Sequence, residues 1–168
     1  MRLAVLLAAA AILAPASALA QSIAIKGSTG QIVTVTAAEV AKLPRVSFLF
    51  DAHGQKHTYE GPLLLDVLAK AGAPTGKDLH GPALANAVVV RASDGYAVVY
   101  GLAELDPGTR ANRVILADKA DGAALDAKDG PFKVVAEGDL RPARSARLVT
   151  SIEIVNLGSG RGTPHSHD

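Results

Sequence analysis

Apolar and polar residues alternate from Ile23 to Ile25, and Ile32, Val33 and Val35 follow after the glycine-bounded stretch 27–30. A period of two turns one face to a core and the other to water, so this pattern predicts an opening β-hairpin. Thr36 and Glu39 stand at capping-box spacing, in which the hydroxyl accepts from the Glu39 amide and the carboxylate from the Thr36 amide; a short helix is expected there, ended before Pro44. Val46, Phe48 and Phe50 alternate again, and beyond Asp51 and Gly54 the chain returns through residues 56–59 as a second strand pair. Behind Gly61 and Pro62, the residues Leu64, Val67, Leu68 and Ala71 share one helical face. Pro62 is expected at the first helical position, where it loses no hydrogen bond, and Gly72 at the stop. Asp66 and Lys70 are four apart with the acid first, the orientation that favours an ion pair.

The second half reads as strands. Residues 88–92 and 96–100 flank Ser93, Asp94 and Gly95, a turn whose glycine tolerates positive φ. Apolar runs at 114–116, 132–135 and 148–155 are separated by turn signals at Asp121-Gly122 and Asp129-Gly130-Pro131 and by an arginine-rich segment. Eight or nine short strands interrupted by two helices predict a single α+β domain, residues 21–157, with a mixed and mostly antiparallel sheet. Residues 158–168 read as a flexible tail.

What precedes this pattern is different in kind. Met1 and Arg2 lead into an apolar run at 3–13 that ends in Ala18-Leu19-Ala20. A run of about a dozen residues is short of the roughly 20 needed to span a bilayer, and small residues stand where a signal peptidase cuts. A signal peptide over residues 1–20, cleaved near Ala20, is therefore expected, and with it a periplasmic or secreted protein. Losing Arg2 in that step takes the formal charge from +1 to zero. A balanced chain with three Phe, three Tyr and no Trp offers little to phosphate backbones or stacked bases, so no nucleic-acid partner is expected. The absence of cysteine excludes disulfides, thiolate metal sites and a cysteine nucleophile.

Candidate chemistry is concentrated in one place. Arg141, Arg144, Ser145 and Arg147 crowd seven positions of the segment that enters the last strand. Guanidinium forks and a hydroxyl at this spacing suit an anion cradle, and equally a solvated basic rim that balances nearby Asp and Glu. His53 and His57 flank a turn and are placed to meet across a hairpin with Asp51, but the spacing matches no strong zinc pattern and no metal ligand is assigned. His165 and His167 form a weak metal tract in the tail, and His80 stands alone. Among Glu104, Asp106, Asp118, Asp121, Asp126 and Asp129 the spacing selects no acid–base pair, and Asp94, Asp121 and Asp129 each precede glycine, as turns require. No catalytic residue is assigned.

Four short motifs occur in a recognisable order. They are Tyr59-Glu60-Gly61-Pro62 with Leu65, Leu68 and Gly72; Ser93-Asp94-Gly95-Tyr96; Ile115-Leu116-Ala117 with Asp121-Gly122, Leu125, Gly130-Pro131 and Val134-Val135; and Ala143-Arg144-Ser145-Ala146-Arg147. This order resembles the molybdopterin-binding oxidoreductase domain of the sulfite oxidase superfamily, over roughly residues 46–155. The resemblance implies a mixed α+β fold and makes Arg144, Ser145 and Arg147 candidate contacts to a pterin or its phosphate. It also carries a departure. Catalytic domains of that family ligate molybdenum through a cysteine placed before the segment like residues 59–68, and this chain has none. Neither His53 nor His57 reproduces the charge and softness of a thiolate. The expectation is a ligand-binding or redox-accessory module for a small anionic ligand or pterin, with molybdopterin as cofactor by resemblance only. Two alternatives stand beside it: a molybdopterin-dependent oxidoreductase with a non-cysteine metal ligand, and an interaction module for a periplasmic or membrane redox partner.

Overall fold

A computed structural model describes residues 21–158; the expected signal peptide over residues 1–20, the expected tail from residue 159 on, and His165 and His167 lie outside the described residues. In chain order the elements are β1 (Ser22–Lys26), β2 (Ile32–Thr36), α1 (Ala37–Val40), β3 (Val46–Ala52), β4 (Gln55–Gly61), α2 (Leu64–Ala69), β5 (Asn86–Ala92), β6 (Ala97–Gly101), β7 (Val114–Ala117), β8 (Lys119–Ala120), β9 (Ala123–Ala124), β10 (Lys133–Ala136) and β11 (Val149–Asn156). The expected hairpins and both helices are present. The capping box at Thr36 and Glu39 is made in both directions, 3.3 Å from the Glu39 amide to the hydroxyl and 2.8 Å from the Thr36 amide to the carboxylate.

Three sheets share the strands. The order β2-β1-β11-β5-β6 makes a five-stranded sheet, β3-β4-β8-β9 a four-stranded one, and β7 with β10 a ribbon between them. All pairings are antiparallel except that of β1 with β11, which runs parallel from Ala24 opposite Ser151 to Lys26 opposite Glu153. The ribbon explains why its strands read as unbroken apolar runs. Val114, Leu116, Val134 and Ala136 face the main core with Ile23, Ile25, Leu64 and Leu68, while Ile115, Ala117 and Val135 face a second core with Phe48, Phe50 and Tyr59. A strand pair covered on both sides has no polar face to alternate with.

Gly61 joins the second sheet to that ribbon. A Cβ there would stand 2.1 Å from the Leu116 carbonyl oxygen, and just beyond it the Leu116 amide donates to the Pro62 carbonyl at 3.0 Å. The glycine is needed because two backbones meet.

Three expectations are corrected. Pro62 lies before the helix, whose N-cap is Leu63, because its carbonyl is already committed to the ribbon. Asp66 and Lys70 form no ion pair: Lys70 stays exposed, while Asp66 is half-buried and burial holds its carboxyl above the usual range. Strands number eleven among the described residues, because Asp121-Gly122 is itself the turn of the two-residue hairpin β8–β9, with φ of 51° and 81°.

Candidate functional site

The arginine-rich segment folds as a 3-10 turn, Pro142–Arg144, that leads into β11. Local bonds close it, the Ser145 amide donating to the Pro142 carbonyl at 2.9 Å and the Val134 amide to the Ala146 carbonyl at 2.8 Å. Two tyrosines hold it from outside. The Tyr96 hydroxyl donates to the Ala143 carbonyl, and the buried Tyr100 hydroxyl donates to the Arg144 carbonyl, both at 2.5 Å. Burial raises the Tyr100 phenol above its ordinary pKa, so it remains a donor.

Within this turn the three candidate residues separate. The Arg144 guanidinium forks onto Asp139, Nε at 3.0 Å and Nη2 at 2.8 Å, reaches Glu104 at 3.2 Å, and lies 4.9 Å above the Tyr100 ring. Its bonds to Asp139 hold its pKa above the ordinary arginine value. Here the guanidinium is a cation balanced by two carboxylates. Ser145 and Arg147 instead line a cavity of about 210 Å³ with Asp94, Tyr96 and Pro142. Ser145 is only 9% exposed, and its Oγ has no hydrogen-bond partner among the described residues. Arg147 is exposed, Asp94 accepts from the Tyr96 amide at 3.0 Å, and neither forms an ion pair among the described residues.

Arg141 belongs to a neighbouring groove of about 530 Å³, bounded by Leu49, Phe50, Asp51, His53, Leu140 and Pro142. Pro142 is common to both hollows. The two hairpin histidines do not share a site. His53 sits in the β3–β4 turn at φ 57° beside that groove, whereas the His57 Nδ1 lies 2.7 Å from Asp121, whose other oxygen accepts from the Thr58 amide at 2.8 Å. The His57 bond holds the Asp121 carboxyl below the usual range. Sequence reasoning had no means of finding this partner, 64 positions away. It also passed over Tyr96, Tyr100 and Asp94 as site residues, although two of the three tyrosines in the chain lie in one hairpin.

The residues present do not fit the metal end of a molybdenum cofactor. The chain has no cysteine and its one methionine is Met1, the groove wall offers only Asp51, His53 and Asp139 as donors, and no group of three or more His, Asp or Glu side chains placed to hold a metal ion is found among the described residues. Hard oxygen and imidazole donors do not replace a thiolate.

The fold itself has known counterparts. It is α+β with mostly antiparallel sheets, distantly like the fold of molybdopterin oxidoreductases. One solved structure that carries it is the sulfane dehydrogenase SoxCD from Paracoccus pantotrophus, matched with a TM-score of 0.62 and 14% identity over 81% of this chain and 38% of that one. This chain thus spans well under half of that protein's length, and at this identity the likeness is one of fold. No protein-family model matches the chain, and no curated protein matches it.

Proposed function

We propose that the protein is an exported ligand-binding or redox-accessory module that uses a molybdopterin-oxidoreductase-like fold to hold a small anionic ligand at Ser145 and Arg147. The observation that carries this reading is the buried, unpartnered Ser145 hydroxyl in the wall of a cavity that also presents an uncommitted guanidinium. A buried hydroxyl without a partner costs free energy, and an anion accepting from it and from Arg147 removes that cost. Arg144 acts as a positioning residue: tied to Asp139 and Glu104, it fixes the turn on which Ser145 stands.

Titration of the protein from which residues 1–20 have been cleaved with inorganic phosphate or sulfate, followed by amide shifts, tests this. Arg147→Ala should weaken binding by about 1.5–3 kcal/mol, the scale of a charge-assisted hydrogen bond. Unchanged affinity in that variant would remove the cradle. Export is checked separately by the N-terminus of protein from its native host, expected near Gln21.

A second reading rests on the groove beside the cavity. Leu140 is 99% exposed and Leu49 62% exposed, and both line it. Apolar side chains so placed suit docking of a redox partner protein. Leu140→Ser should then abolish co-purification of that partner while leaving anion titrations unaltered.

A further inference from the structure

The cavity at Ser145 is lined by two opposite charges that do not neutralise each other. Asp94 stands in the β5–β6 turn, where the Tyr96 amide holds one carboxylate oxygen, and Arg147 stands on the segment before β11. Both line the same 210 Å³ space, yet no ion pair closes between them. Opposite charges free on one surface attract, and a direct pair would be the cheapest way to satisfy both. Their separation leaves a space with a positive wall and a negative wall.

We propose that the ligand is a small zwitterion, a molecule with an ammonium group a few bonds from a carboxylate or sulfonate. This deepens, and rests on, the anion reading at Ser145 and Arg147. A simple anion beside Arg147 meets repulsion from Asp94, whereas a zwitterion turns the same carboxylate into a second anchor. Arg147 and Ser145 take the acid group, Asp94 takes the ammonium, and Tyr96 with Pro142 supplies the apolar wall against the short connecting chain. The cavity is smaller than the roughly 300–1,000 Å³ that drug-sized ligands occupy, which restricts the guest to a short amino acid.

The test compares β-alanine, taurine, propionate and methylammonium by amide-shift titration of the wild type, Asp94→Asn and Arg147→Ala. The side-chain carbonyl introduced by Asp94→Asn still accepts from the Tyr96 amide, so the turn is preserved. β-Alanine or taurine should bind about tenfold more tightly than propionate in the wild type, the scale of one added charged contact. Asp94→Asn should erase that preference without weakening propionate, and Arg147→Ala should lose all the acids. Equal binding of β-alanine and propionate, or a preference that survives Asp94→Asn, overturns the zwitterion and leaves the anion reading standing. If no acid, phosphate or sulfate perturbs these amides, both fall together.

Discussion

At the scale of one side chain, Ser145 carries a hydroxyl that is buried with no hydrogen-bond partner among the described residues. Ser145→Ala therefore removes a desolvated polar atom and leaves a methyl of similar shape. The expected result is a protein about 1 kcal/mol more stable in urea that binds phosphate or sulfate more weakly. A variant less stable than wild type would mean that the hydroxyl is satisfied in solution. Gly61 makes the opposite case. With the Leu116 carbonyl 2.1 Å from any added Cβ, Gly61→Ala forces two backbones apart and should cost at least about 3 kcal/mol by denaturant melt. The sequence shows a glycine before a proline there, and only the ribbon crossing it tells why no other residue fits.

Among the elements, the shortest helix is the one most fully announced in the sequence. α1 has four residues, and its start is written in the Thr36 and Glu39 pair. Thr36→Ala should destabilise the protein by about 1 kcal/mol, visible as a lowered urea midpoint with unchanged slope. Hairpins were equally legible, since alternation and turn residues are local properties. The β8–β9 hairpin escaped because two-residue strands carry no period. The partner of β1 escaped for a different reason: β11 lies at the other end of the chain, and parallel pairing leaves no turn between the strands to read.

Across the whole molecule, guanidinium–carboxylate clusters join segments far apart in sequence. Arg45 bridges Glu60 of β4 to Asp118, and Arg113 forks onto Glu137 at 2.6 and 2.7 Å. Arg45 and Arg113 hold Glu60 and Glu137 below the ordinary carboxylate range. Groups whose folded pKa is depressed contribute stability that is complete above the unfolded value, about 4.3 for Glu, and lost as pH falls through the folded value. Stability should accordingly be flat from neutral pH down to about 5 and decline below it. Urea midpoints across that window check this, and Glu137→Gln should flatten the acid limb.

From the chain alone, alternation and capping announced the longer strands, both helices and the α+β class, and pointed to one arginine-rich segment as the candidate for chemistry. Those features are encoded within a few residues of one another. Tertiary structure decided the rest: that Arg144 is spent on Asp139 and Glu104, that Ser145 and Arg147 open onto a cavity with Asp94, and that His57 turns to Asp121. A guanidinium joins a rim or a receptor according to which carboxylate the folded chain brings within reach. That distance is a property of packing between segments far apart in sequence, and no local pattern contains it.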